Sequence, residues 1–153
     1  MLALAVAIAD QFSKWWILQH FRPGEVLPVL PVFNLVLTFN EGAAFSFLSD
    51  AGGWQRWFFI GLTLAVSAGL VVWISRLRPG EKWLATALAL VLGGALGNLV
   101  DRVRFGRVTD FLDFHWQDWH WPAFNLADSA ITLGVLLLLL LSWQESGKGT
   151  KKG

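Results

Sequence analysis

The chain of 153 residues is 55% hydrophobic and 15% charged, and its formal net charge is +1. Soluble domains carry about a quarter charged residues, so this composition, with its long apolar runs, indicates one compact membrane domain. The small net charge gives no support for nucleic-acid binding. The absence of cysteine excludes disulfides, thiolate nucleophiles and cysteine-based metal sites.

Four apolar segments are predicted to cross a membrane as helices, within a single integral-membrane domain over residues 1–153. They lie at about residues 2–20, 54–74, 83–102 and 123–143. The predicted fold class is an all-α membrane protein with four transmembrane helices. A small extramembrane β-sheet or cradle is expected on its outer face.

The first segment is interrupted by polar residues and is short for a span, which needs roughly 17–25 residues. A secretory signal peptide does not fit, because its apolar region would not carry Asp10 and Lys14 in its middle. These two residues are four apart, so they lie on one helical face and are predicted to pair.

Two segments, 21–53 and 103–122, are predicted to be outer loops. Pro23, Pro28 and others break any helix in the first of them. Within it, Val32–Phe39 is β-branched and aromatic and is typical of a strand. We therefore expect a small sheet lying on the bilayer surface.

The distribution of Lys and Arg predicts the orientation. The 75–82 loop and the 144–153 tail are basic and lie on the same side of a four-span chain, and short basic segments stay cytoplasmic. Both termini are then cytoplasmic and the two outer loops are periplasmic. Arg102, Arg104 and Arg107 count against this orientation unless they pair with local carboxylates.

Asp110 and Asp128 are the predicted catalytic residues. Asp110 ends a hydrophilic run, and Asp128 lies about one turn into the fourth span, where water is scarce. Two carboxylates that share a site cannot both ionise cheaply, so the pair would hold one proton. Such a pair can activate water with one member and protonate a carbonyl or leaving amine with the other. The alternative is that Asp128 anchors a helix while Asp110 faces water.

Further polar residues are expected around this pair. Asn125 lies three residues before Asp128, where its amide either orients a substrate or caps the fourth helix. Asn98 and Asp101 share a helical face, and Asp101 is predicted to pair with an arginine, so that no buried charge is left unpaired. Asn40 begins a tight loop with small residues, which suits either a turn or a substrate groove.

Two other mechanisms are less well supported than the acid pair. In the first, Ser46 is a nucleophile and Lys14 is its base, but nothing in the sequence supports the hydrogen bond that such a pair requires. A metal site is not predicted, because the spacing of the possible ligands matches no metal signature. Those possible ligands are His20, His115, His120 and Asp113.

Four blocks in this order resemble the lipoprotein signal peptidase family, the type II signal peptidases. They are Asp10–Lys14 (DQFSK), Phe39–Phe47 (FNEGAAFSF), Gly97–Phe111 (GNLVDRVRFGRVTDF) and Phe124–Ile131 (FNLADSAI). One departure is the short lead before the first block. Together the blocks and the spans around them cover nearly the whole chain.

The resemblance implies an aspartic endopeptidase of the bacterial inner membrane, without a cofactor and acting as a monomer in contact with membrane lipid. It would remove the signal peptide from a diacylglyceryl-modified prolipoprotein, cutting on the N-terminal side of the lipidated cysteine, and would be a target of the antibiotic globomycin. Asp110 and Asp128 match the family's catalytic pair. Positions matched to the substrate site are Asn40, Asn98, Arg102 and Asn125, and positions matched to structural support are Asp10, Lys14 and Asp101.

Two rival classes are a proton- or ion-coupled transporter and a non-catalytic membrane scaffold. Carboxylates inside a membrane also build proton relays, but a transport site lies near the bilayer midplane and is reached from both sides. A scaffold would not need paired carboxylates.

Overall fold

The computed structural model describes residues 1–42 and 54–149, with side chains to residue 144. Within these residues the helices are α1 (Leu2–His20), α2 (Trp54–Ser75), α3 (Lys82–Phe105) and α4 (Leu126–Gly149). The strands are β1 (Val26–Leu30), β2 (Phe33–Asn40), β3 (Val108–Trp116) and β4 (Trp119–His120).

Three of the helices are long and apolar enough to cross a membrane: Trp54–Ser75, Lys82–Phe105 and the Leu126–Gln144 part of α4. Helix α1 is not among them, because a polar run that includes Asp10 and Lys14 interrupts it. Of the four predicted transmembrane helices, three therefore have the length and composition of a span, and α1 as a span stays a prediction.

The strands form one antiparallel sheet in the order β1-β2-β3-β4. Residues 103–122 were predicted only as an outer loop, and the structure gives this segment secondary structure that was not predicted: α3 continues to Phe105, and β3 and β4 follow it. The sequence of β3 does not show the alternation of polar and apolar residues that predicts a strand, because nearly all residues in its first half are buried. The 144–153 tail also begins as helix, because α4 continues to Gly149.

The sheet is fixed to the helices by a small apolar core. Ile17 of α1, Leu37 of β2 and Phe111 of β3 are buried together. This core holds β2 and β3 over the end of α1. The sheet therefore lies at the end of the helical bundle where α3 finishes and α4 begins.

Close helix contacts depend on glycines of α3. A Cβ at Gly94 would collide with the carbonyl oxygen of Ala127 in α4, and a Cβ at Gly97 would lie 2.5 Å from Oδ2 of Asp10 in α1. Small residues let helix backbones approach closely in membranes. Helix α3 is consequently the central helix, packed against α1, α2 and α4.

Candidate active site

Asp110 and Asp128 reach the same polar cluster from different elements. Asp110 lies in β3, opposite Thr38 of β2, and is buried. Asp128 lies in the first turn of α4 and is half-buried. The sheet thus brings one acid over the helix end that carries the other.

Two amide side chains connect the acids. Nδ2 of Asn125 donates to Oδ1 of Asp110 at 2.7 Å, and Nδ2 of Asn98 donates to Oδ1 of Asp128 at 2.8 Å. The amides also contact each other, since Nδ2 of Asn125 lies 3.2 Å from Oδ1 of Asn98. The two acids therefore lie on the same side of the bundle, joined by this pair of amides.

Asn125 caps the fourth helix, which is one of the two roles that the sequence left open. Its Oδ1 accepts from the backbone N–H of Asp128 at 2.9 Å, and Oδ2 of Asp128 accepts from the backbone N–H of Asn125 at 3.2 Å. This is a reciprocal helix cap, in which two free donors of the first turn are satisfied. The cap fixes the position of Asp128, while the amide nitrogen of Asn125 remains directed at Asp110.

A buried cation supports the cluster from α1. Nζ of Lys14 contacts Oδ2 of Asp10 at 2.8 Å, as the spacing predicted, and Oδ2 of Asp101 at 3.3 Å. The same nitrogen donates to Oδ1 of Asn98 at 2.8 Å. Because this amide in turn donates to Asp128, the charge of Lys14 is linked to Asp128 through one side chain.

The prediction that Asp101 holds an arginine was wrong. It pairs with Lys14 and accepts hydrogen bonds from Nε2 of Gln11 at 2.8 Å and the backbone N–H of Thr109 at 2.9 Å. Its position on the inner face of α3 turns it toward α1 and away from the neighbouring Arg102. Gln11 was not predicted as part of the site, although a polar residue beside Asp10 within an apolar segment indicates such a role.

The three arginines in and just after the last turn of α3 fit the predicted orientation only if they pair with local carboxylates. Within the described residues none of them forms an ion pair, so that condition is not met there. Arg102 donates from Nη2 to the carbonyl oxygen of Gly42 at 2.9 Å, and Arg104 and Arg107 lie over the rings of Phe105 and Phe39. Their positive charge is met by carbonyl groups and ring faces, which attract cations.

Asn40 ends β2 close to Asp110 and hydrogen-bonds its carboxyl group. Its Oδ1 also accepts from the backbone N–H of Gly42 at 3.0 Å, so a turn follows it, as one of the two readings predicted. Ser46 lies outside the described residues. The other partner of that alternative, Lys14, is engaged by two carboxylates and an amide.

The histidines were not predicted to bind metal, and among the described residues no group of three potential ligands is arranged to hold a metal ion. Nδ1 of His120 contacts Oδ1 of Asp113 at 2.9 Å, and the ring of His115 stacks on that of His120. This pair lies on β3 and β4, on the outer part of the sheet.

The surroundings of Asp110 favour its neutral form. The pKa of this carboxyl is raised from 3.8 to about 7, mainly by burial and secondly by the nearby charge of Asp128. The hydrogen bond from Asn125 and the charge of Lys14 act in the opposite direction and do not cancel the shift. A carboxyl of this kind beside a second, more exposed one is suited to acid–base chemistry near neutral pH.

The fold and this site define a helical membrane protein whose acid pair lies where a small sheet covers the end of the bundle. Residues 2–144 match the family model described as signal peptidase (SPase) II. The chain is 56% identical over 138 residues to a lipoprotein signal peptidase of Cupriavidus pinatubonensis, covering 90% of this chain and 78% of the relative. It is 51% identical over 150 residues to that of Pseudomonas aeruginosa, covering 97% of this chain and 89% of the relative.

A solved structure of a bacterial membrane enzyme superposes with a TM-score of 0.89 at 31% identity, covering 99% of this chain and 91% of that one. The chain belongs to the signal peptidase II family. It is a membrane peptidase of the aspartic class that removes signal peptides from prolipoproteins.

Proposed function

We propose that Asp110 and Asp128 are the catalytic pair, and that the substrate is a diacylglyceryl-modified prolipoprotein cut on the N-terminal side of its lipidated cysteine. The observation that carries this is the pair of amides, Asn98 and Asn125, that holds both carboxylates in one cluster. Acids that served only as separate helix anchors would not require a shared scaffold.

The environments of the two acids support different roles. Asp110 is 3% exposed and favours its protonated form, while Asp128 is more accessible and accepts hydrogen bonds on both oxygens. The carboxylate of Asp128 takes a proton from water as the water oxygen attacks the scissile carbonyl carbon. The carboxyl of Asp110 gives its proton to the carbonyl oxygen, and a neutral tetrahedral intermediate forms.

Collapse of this intermediate returns each proton. Asp128 passes its proton to the leaving nitrogen as the C–N bond breaks, and Asp110 recovers a proton from the hydroxyl that becomes the new carbonyl. Each acid thus regains its starting state without a cofactor. Because the titrations of such close acids are coupled, the proton belongs to the pair as a whole over part of the cycle.

The position of the site suits a lipid-anchored substrate. The acyl chains of a diacylglyceryl cysteine remain in the bilayer, so the scissile bond is held near the interface. Asp128 lies in the first turn of the apolar helix α4, and Asp110 lies in β3, the strand that follows the end of α3. We place this end at the periplasmic face, with α1 as the fourth span and both termini cytoplasmic, in the inner membrane of a bacterium.

The tryptophans of the sheet support this placement. Trp116 and Trp119 are 69% and 62% exposed, and they flank the turn between β3 and β4. Tryptophan is enriched where hydrocarbon meets water, so the β3–β4 turn would lie among lipid headgroups. The protein would act there as a monomer.

Arg102 would contact the substrate. Its Nε is buried and has no hydrogen-bond partner among the described residues. The charges of Asp128 and Asp110 act on this guanidinium. Arg102 is half-buried, so the accessible part of its side chain would donate to a backbone carbonyl of the bound peptide.

The test is cleavage of a synthetic diacylglyceryl prolipoprotein peptide by purified protein in lipid-containing micelles. Asp110→Asn and Asp128→Asn should each lower turnover by about 10³-fold or more, because each removes acid–base catalysis. Asp118→Asn is the matched control, since Asp118 lies exposed in the turn before β4. Globomycin should inhibit the remaining control activity, whereas near-normal turnover by either pair variant would refute the assignment.

A further inference from the structure

One arginine outside the predicted site holds the outer end of α3. Arg56 lies in the first turn of α2, and its guanidinium crosses to the neighbouring helix. Nε donates to the carbonyl oxygen of Arg102 at 3.1 Å, and Nη2 donates to that of Val103 at 2.8 Å. Two adjacent donors of one rigid group are thus used on two successive carbonyls.

These carbonyls lie in the last turn of α3, where helix carbonyls begin to lack intrahelical partners. Helix α3 ends at Phe105, and its cap residue Gly106 has a φ of 75°. The carbonyl oxygen of Arg102 still accepts the N–H of Gly106 at 3.0 Å, so Arg56 is a second donor to it. A cation is favoured at this end because the helix dipole is negative there. Within the described residues Arg56 forms no ion pair, so carbonyl binding is its main polar contact.

The same face of α2 also contacts the side chain of Arg102. Phe59 lies three residues after Arg56, so both residues lie on one face of the helix. The guanidinium of Arg102 lies over the Phe59 ring, 5.1 Å from its centroid. Helix α2 therefore fixes Arg102 twice, at its backbone through Arg56 and at its side chain through Phe59.

We propose that Arg56 is a positioning residue for the peptidase, acting through Arg102. By fixing the carbonyl of Arg102 it sets where that guanidinium lies beside the acid pair. This inference rests on the proposed function of Arg102 in substrate binding. Arg56 itself contacts the end of α3 and is not a catalytic residue.

The test is a double-mutant cycle in the peptide cleavage assay. Arg56→Gln should lower kcat/KM by about tenfold, chiefly by raising KM, because a misplaced Arg102 binds peptide less well. In an Arg102→Gln background the same change should alter kcat/KM by less than about twofold, since there is no longer a guanidinium to position. Arg104→Gln is the matched control and should stay within about twofold of the parent, because Arg104 is exposed at the same helix end.

Arg56→Lys provides a second variant if the glutamine protein does not fold. Lysine keeps the charge but cannot present two fixed donors to two carbonyls, so a smaller loss that again disappears in the Arg102→Gln background is expected. An equal loss in both backgrounds, or no loss at all, would overturn the inference. Neither result would affect the proposed function, which fails only if the Asp110 or Asp128 variants retain turnover.

Discussion

Replacement of Gly97 by alanine tests whether close packing of α3 on α1 holds the buried ion pair. The added Cβ would lie 2.5 Å from Oδ2 and 3.0 Å from Cγ of Asp10, which is fully buried. This carboxylate binds Lys14 at 2.8 Å and the backbone N–H of Ala127 at 2.9 Å, so it cannot move without losing one of them.

The energies decide the sign of the effect. Alanine gains about 1 kcal/mol over glycine in a helix. Overpacking costs about 1–3 kcal/mol, and a weakened hydrogen bond to a charged group costs about 1.5–3 kcal/mol. The net expectation for Gly97→Ala is a loss of about 2–5 kcal/mol, which lowers the thermal midpoint by roughly 5–15 °C for a chain of this size.

Thermal unfolding in detergent, followed by circular dichroism, measures the effect. Gly69→Ala in α2 is the matched control, because a Cβ there meets nothing within 4 Å. The control should unfold at or slightly above the parent midpoint. If the two variants unfold at the same temperature, steric exclusion at Gly97 does not hold Asp10 in place and the reasoning is wrong.

Lys14, Asp110 and Asn125 give three further expectations. Lys14→Met should lower the free energy of unfolding by about 3–5 kcal/mol in thermal unfolding, because two buried carboxylates lose their cation. The control Lys82→Met, at an exposed position, should leave it unchanged, and equal losses in the two variants would contradict the expectation. The pKa of Asp110 is raised from 3.8 to about 7 in the folded protein. Protonation of Asp110 therefore adds to the free energy of unfolding in full below pH 3.8, and this addition is lost as the pH rises through about 7. A pH–rate profile should therefore fall on the alkaline side near 7, and a profile flat to well above that pH would contradict the role of a neutral Asp110. Asn125→Ser keeps a helix-capping oxygen but loses the amide that donates to Asp110 at 2.7 Å. The value of kcat should fall by roughly 10–100-fold, while the helix content measured by circular dichroism is unchanged. An unchanged kcat would exclude that role of the amide.

Contacts within one helix turn were accessible from spacing alone. The pairing of Asp10 with Lys14 and the capping of α4 by Asn125 both follow from residues three or four apart. Helical geometry fixes such neighbours whatever the rest of the chain does. The sequence also indicated the apolar spans, because their length and composition are set by the bilayer.

Contacts between distant elements were not accessible in this way. Asp101 was predicted to pair with an arginine, yet its partner Lys14 comes from another helix. Residues 108–116 were assigned to a loop because a buried strand does not alternate in polarity. Sequence spacing carries no information on which face of α3 meets α1.

The sequence by itself determined that this chain has membrane-spanning helices, that it belongs to a family of aspartic peptidases, and which polar groups are neighbours along a helix. The tertiary structure alone decided that Asp110 and Asp128 share one pair of amides and that Lys14 supports them. The physical reason is that helical and hydrophobic patterns are local, whereas the meeting of a strand, two helix ends and a buried cation depends on how those elements pack around α3.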